Sequence, residues 1–131
     1  MGLGRFGGGV GVTRYLVSRG ADVLVTDMTS PEALRKSVAE LEGLPIRWRL
    51  GEHRIDDFTW ADLVVVNPAV DPRDNPYIEA AREAGVALTT EMRLLVERLP
   101  RGVRTIGVTG TAGKSTVVAM IGHVLRKAQR E

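Results

Sequence analysis

Short β-branched runs alternate along this chain with stretches in which apolar residues recur at three and four positions. Residues 21–26 (Ala-Asp-Val-Leu-Val-Thr) predict a strand ending at Asp27, and Ile46–Leu50 alternates apolar and basic residues as a half-exposed strand would. Leu63–Val66 is continuous and mostly β-branched, the pattern of a parallel strand covered on both faces. Residues 86–88 and 103–108 complete the set of predicted strands. Helices fall between them. Val12, Tyr15 and Leu16 mark one; Ser30-Pro31-Glu32 opens a second, with Leu34, Val38 and Leu41 as its stripe and Gly43 and Pro45 beyond its end. Asn75-Pro76 starts a third that Gly85 closes, residues 91–99 form a fourth stopped by Pro100, and residues 117–125 resume helical spacing. Strand-then-helix alternation predicts an α/β fold with a parallel sheet. Arg101-Gly102 reads as a linker, which divides the chain into residues 1–100 and 101–131.

Two glycine-rich turns change this picture from architecture to chemistry. Gly2, Gly4 and Gly7 match G-x-G-x-x-G, in which glycines allow a tight turn and close approach of a phosphate to a helix start. Asp27 follows at about the distance where a dinucleotide-binding fold places the acid that takes ribose hydroxyls; the alternative is a cap or turn residue. Together they predict a Rossmann-like domain over 1–100. Such a turn needs a strand before it, and only Met1 lies upstream. Either that first strand is missing through truncation or a misassigned start, which is the expectation, or the motif serves another context. Extra glycines at a flexible terminus are the plain alternative.

The second turn, Gly110-Thr111-Ala112-Gly113-Lys114-Ser115-Thr116, lies between the 103–108 strand and the 117–125 helix. Backbone N–H groups converge on a helix N-terminus there, and an anion so placed meets unpaired donors and the positive end of the helix dipole. Lys114 would reach the outer phosphates of ATP, and the Ser115 hydroxyl would ligate its Mg2+. A loop that merely needs glycines does not ask for a lysine and two hydroxyls directly after the second one. The general P-loop has a glycine where Val108 stands.

Composition narrows the remaining classes. With 131 residues, 44% of them hydrophobic, the chain can bury one core of ordinary size. It has no cysteine, hence no disulfide framework or thiol nucleophile, which suits a reducing cytoplasm. No apolar run approaches the roughly 18 residues of a membrane helix, and the amino-terminal segment lacks a signal-peptide pattern. The net charge of +2 is spread out and aromatics are 5%, which argues against nucleic acid as a partner. His53 reads as a surface residue, Asp56-Asp57 as acids at a helix turn, and Trp48 and Trp60 as packing residues.

The order Gly-Val-Thr-Gly-Thr-Ala-Gly-Lys-Ser-Thr resembles the ATP loop of the Mur ligase superfamily, which also includes folylpolyglutamate synthases. Nearly the whole chain resembles the amino-terminal third of such enzymes, through Gly2-Leu3-Gly4, the strand end at Asp27, residues 61–70 and Glu91-Met92-Arg93-Leu94. Within the superfamily the resemblance is strongest to the branch adding D-glutamate to UDP-N-acetylmuramoyl-L-alanine in peptidoglycan precursor synthesis. The alanine-adding branch usually carries histidine where Ala112 stands. The resemblance implies a cytoplasmic ligase, monomeric at full length, working through an acyl phosphate with ATP and Mg2+. It implies that Arg5, Phe6, Gly7, Asp27 and Ala69 bind the UDP part of the substrate. Gly110, Thr111, Ala112, Gly113, Lys114, Ser115 and Thr116 would hold ATP, Lys114 catalytically and Ser115 as metal ligand. On that footing residues 101–131 open a second α/β domain with strand, P-loop and helix, and the chain is an amino-terminal fragment, inactive alone. The rivals are an NAD-binding oxidoreductase domain using Gly2, Gly4, Gly7 and Asp27, and a non-catalytic nucleotide-binding module.

Overall fold

The computed structural model describes residues 1–4 and 7–128, and the chain divides into two compact units, Met1–Arg98 and Leu99–Glu131. In the first unit the order is α1 (Gly8–Ser18), β1 (Val23–Asp27), α2 (Arg35–Ala39), β2 (Ile46–Leu50), α3 (Asp56–Thr59), β3 (Leu63–Val66), α4 (Pro76–Glu83), β4 (Ala87–Thr90) and α5 (Glu91–Glu97). The strands form two parallel pairs. β1 lies beside β2 with Val23 opposite Ile46, and β3 beside β4 with Leu63 opposite Ala87.

A single continuous parallel sheet, expected from the sequence, is therefore not what forms; there are two short parallel sheets in an α/β unit. The physical reason lies at Met1 and Gly2. The Met1 amino group donates to Val65 O (2.9 Å), Asn67 N donates to Met1 O (3.0 Å), and Gly2 N donates to Thr26 O (2.8 Å). These three bonds reach both sheets without forming a strand ladder between them.

Local signals in the sequence act as their chemistry dictates. Asn75 caps α4 by accepting from Tyr77 N and Ile78 N, with Pro76 in the first turn, and Thr90 caps α5 by accepting from Arg93 N. Two apolar clusters hold the unit. One gathers Leu3, Val10, Val23, Val25 and Leu41; the other gathers Phe58, Val64 and Ala81, with Met1 and Tyr77 packed against it. Full burial of side chains such as Phe58 or Leu41 stabilises by about 1.5–3 kcal/mol each.

Several local expectations are corrected by packing. His53 is half-buried, with Nδ1 2.6 Å from Thr26 Oγ1 and its ring edge-on to Phe58 and Tyr77. Trp48 and Trp60 stay at the surface, and the Arg47 guanidinium covers Trp60 at 4.7 Å. Asp56 and Asp57 stand in the first turn of α3, as read from the sequence, and Arg49 Nη2 donates to Asp57 Oδ1 at 3.1 Å.

In the second unit, α6 (Lys114–Lys127) forms, and Arg126 and Lys127 in its last turn suit the negative end of the dipole. The strand expected over 103–108 does not form among the described residues. Strand geometry is stabilised by a pairing neighbour, and none is present among the described residues of this unit. Ile106, Val118, Met120 and Val124 are accordingly exposed.

Burial pushes the Met1 ammonium down from 8.0 to about 6, partly offset by the Asp27 carboxylate. Burial also lowers His53, helped by the Met1 charge and opposed by Asp27 and Asp57. Both groups take up protons more readily when unfolded, so stability is present at pH 8 and is lost as pH falls towards 6. A chain beginning at Met1 should lose about 2 kcal/mol of unfolding free energy between pH 8 and pH 6. Urea titration followed by tryptophan fluorescence checks this; equal stability at the two pH values would refute it.

Candidate functional site

At the carboxyl ends of β1 and β3 the glycine turn is tied down from two sides. Asp27, the last residue of β1, is buried; its Oδ2 accepts from Gly4 N (3.2 Å) and its Oδ1 from Thr29 N (2.8 Å). Burial alone would raise its pKa, but the donors from Thr29, Gly4 and Leu3 hold it below the usual carboxylate range. Asp27 is thus ionised at neutral pH, with acceptor capacity left for a ligand hydroxyl. Ser37 Oγ donates to Gly4 O (2.9 Å) from α2.

From β3, Asn67 Nδ2 donates to Gly2 O (3.1 Å) while its Oδ1 accepts from Ala69 N (2.9 Å). Two sets of hydrogen bonds therefore hold the turn, one joining Gly4 to Asp27 and the other joining Gly2 to Asn67 and Ala69. Gly7 sits next to them as the residue before α1, with φ 86°, a left-handed conformation that a side chain would strain. α1 has neither a side-chain cap nor an acid in its first turn. Across from this helix start stands the Glu91 carboxylate: a Cβ added to Gly8 would lie 2.6 Å from Oε1.

Of the residues the sequence nominated, Gly7, Asp27 and Ala69 fall in this region; Arg5 and Phe6 lie outside the described residues. Sequence reading missed Ser37, Asn67 and Glu91 as members. Asn67 carried a signal, since it precedes Pro68 where a strand ends, the usual ligand side of an open α/β sheet. Ser37 and Glu91 carried none, because each contact joins elements far apart in the chain.

The second unit holds the other nominated residues by itself. Gly113 precedes α6 with φ 75°, and the helix start has no side-chain cap. Val117 N bonds Gly113 O (3.0 Å), which leaves the N–H groups of Lys114, Ser115 and Thr116 without helical acceptors. Lys114 Nζ arches back to Gly110 O at 2.6 Å, so the ammonium stands over the 110–113 loop. Open space surrounds Gly113. Three uncapped amides, a cation and a hydroxyl make a donor set that fits a polyphosphate, and Ser115 offers one oxygen to a metal held mainly by phosphate. Among the described residues no three His, Cys, Asp or Glu side chains cluster to hold a metal ion, and no helix is long and apolar enough to cross a membrane.

Residues 1–90 match the family described as Mur ligase MurD-like, N-terminal domain. The chain is 50% identical over 127 residues to a protein of Roseiflexus sp. (strain RS-1) named UDP-N-acetylmuramoylalanine–D-glutamate ligase, covering 97% of this chain and 27% of that protein. A protein of the same name from Trichlorobacter lovleyi is 41% identical, with 96% and 27% covered, and one from Treponema pallidum 37% identical, with 96% and 24% covered. The chain spans about a quarter of the length of these curated relatives.

Proposed function

Because the chain belongs to the Mur ligase MurD-like N-terminal domain family, we propose that it is the amino-terminal part of an ATP-dependent ligase of peptidoglycan precursor synthesis. The enzyme would join D-glutamate to the lactoyl-alanine carboxylate of UDP-N-acetylmuramoyl-L-alanine in the cytoplasm. The observation that carries the ATP part is the α6 start, where unpaired amides and Lys114 Nζ face one loop.

The division of labour follows from the two glycine turns. In residues 1–100, the uncapped start of α1 would receive the diphosphate, and Asp27 would accept a hydroxyl of the uridine ribose while keeping Gly4 in place. Arg5 and Phe6 belong to the same turn in sequence, and Ala69, anchored through Asn67, would lie beside the uracil. In residues 101–131, the amides of 113–116 would hold the β- and γ-phosphates of ATP. Lys114 would move from Gly110 O to the γ-phosphoryl oxygens, stabilising the charge that develops as the substrate carboxylate attacks. Mg2+, when bound, would neutralise phosphate charge, with Ser115 as this chain's ligand to it. Amine attack on the resulting acyl phosphate then forms the amide. The amine must be delivered by parts of the enzyme beyond these residues, so this chain alone binds ligands without completing ligation. Measurable ligation by the 131-residue chain would refute that last point.

The rival reading, an NAD-binding oxidoreductase domain, would use Gly2, Gly4, Gly7 and Asp27, and it leaves the loop at 110–116 without a purpose. Calorimetric titration separates the two. The chain should bind UDP-N-acetylmuramoyl-L-alanine at least ten-fold more tightly than NADH, with UDP competing. Preference for NADH would overturn the ligase reading; tighter binding of a different UDP-muramoyl peptide would move it to another Mur ligase.

A further inference from the structure

Asn67 follows β3 and opens a β-turn with Pro68 in its second position, where the fixed φ of proline is favourable. Val70 N closes the turn on Asn67 O at 2.9 Å, and Ala69 N donates to Asn67 Oδ1, also at 2.9 Å. Both bonds lie within four residues and give the 67–70 loop its shape. The remaining bond of this side chain leaves the loop: Nδ2 donates to Gly2 O at 3.1 Å, 65 positions away in the chain.

The carboxamide enters the glycine turn closely. A Cβ at Gly2 would lie 2.9 Å from Asn67 Cβ, and one at Gly4 would lie 3.0 Å from Nδ2, so a side chain at either position would crowd the amide. Its partners fix its orientation, because a backbone N–H faces one end and a carbonyl faces the other; reversal would set donor against donor and acceptor against acceptor. The group is planar, so the donor aimed at Gly2 and the acceptor aimed at Ala69 move together. On its other sides Gly4 is held by Asp27 from β1 and by Ser37 from α2. The turn therefore has little slack with which to absorb a displacement of the amide.

On the proposed UDP reading, the glycine turn and the start of α1 take the diphosphate, and residues 67–70 take the uracil. We propose that Asn67 is a positioning residue that couples these two halves of the site, so that filling one sets the other in its binding geometry. Asn67 acts through Gly2 and Ala69 and needs no contact with the ligand. Asp27 does not supply this link, since its bonds reach Gly4 and Thr29 but not the 67–70 loop. Uridine and pyrophosphate then bind with positive cooperativity, each raising the affinity for the other by the same factor.

Calorimetric titration of the 131-residue chain with uridine, alone and under saturating pyrophosphate, reads that factor. Uridine should bind about five-fold more tightly when pyrophosphate is present, the lower end of the range for coupled sites. In Asn67→Ser the hydroxyl is one bond shorter; it suits the first position of the turn but does not reach Gly2 O. There the factor should fall to about one and the affinity for UDP by about five-fold, while uridine alone binds as before. Asn67→Asp keeps the acceptor for Ala69 N and loses the donor to Gly2 O, and it should be uncoupled in the same way. Any pyrophosphate held at residues 110–116 is common to all three chains and cancels in the comparison. A role confined to loop stability would weaken uridine alone as much as UDP, and a side chain that merely touched phosphate would leave the factor intact at saturation; either result overturns the proposal. Hydrogen exchange in the unaltered chain is a second measurement, independent of how the variants fold: pyrophosphate should slow exchange at the Ala69 amide, and unchanged exchange there overturns the coupling. If the unaltered chain binds neither uridine nor UDP, the UDP reading fails and the role of Asn67 with it. If it binds both with no effect of pyrophosphate, the role of Asn67 fails alone.

Discussion

Replacing Gly9 with alanine is expected to lower the thermal midpoint of the Met1–Arg98 unit by about 15 °C, equivalent to about 3 kcal/mol for a unit of this size. A Cβ at Gly9 would lie 2.7 Å from the Leu3 carbonyl carbon and 2.9 Å from Leu3 Cα. Those are backbone atoms, so no rotamer change relieves the overlap. Leu3 is itself in the core with Val10, Val23, Val25 and Leu41, and moving it away opens that cluster. Overpacking ordinarily costs about 1–3 kcal/mol, and a rigid backbone partner puts this case at the upper end. Total stability of such a domain is about 5–15 kcal/mol, so the loss is a large share of it. Gly11→Ala is the matched control. It sits in the same helix with open space around it, and alanine there should stabilise by about 0.5–1 kcal/mol. Melting curves followed by circular dichroism check both, and coincident midpoints for the two variants would show that the close approach of α1 to Leu3 is absent.

Lys114→Ala should weaken MgATP binding by about 100-fold while leaving the circular dichroism spectrum unchanged. A hydrogen bond to a charged group contributes about 1.5–3 kcal/mol, or roughly a 10- to 150-fold effect on affinity. Lys114 is exposed and its side chain bonds Gly110 O within the loop, so nothing in a core depends on it. Ser115→Ala should give a smaller loss that disappears when Mg2+ is chelated, because on the proposed reading its hydroxyl would serve the metal and not the phosphate. Titration with and without EDTA separates the two residues. Unaltered affinity in Lys114→Ala would remove the loop from nucleotide binding.

The elements best read from sequence are those whose signals are local. Ile46–Leu50 and Leu63–Val66 have the bounds that alternation and β-branching predict, and the helix start read at Asn75-Pro76 acts through donors two or three residues away. The glycine turn and Asp27 were legible because spacing alone brings a strand end and a helix start together. His53 was not: its place beside Thr26, Phe58 and Tyr77 depends on a loop folding back over β1. Nor was the grip of Asn67 on Gly2, a contact between residues 65 positions apart. Residues 103–108 show the opposite failure, where a correct β-branched composition yields no strand because pairing is a property of two segments.

What the amino-acid sequence determined by itself is the alternation of strands and helices, the Asn75 cap of α4 and the two glycine-rich turns, since each depends on backbone preference within a few residues. Membership in the ligase family rests on the same linear information. Tertiary structure alone decided that the strands form two pairs, that Asp27 spends its carboxylate oxygens on Gly4 and Thr29, and that Asn67 holds Gly2. Those outcomes depend on which edges and faces meet in space, and burial and pairing energies are assigned only when they do.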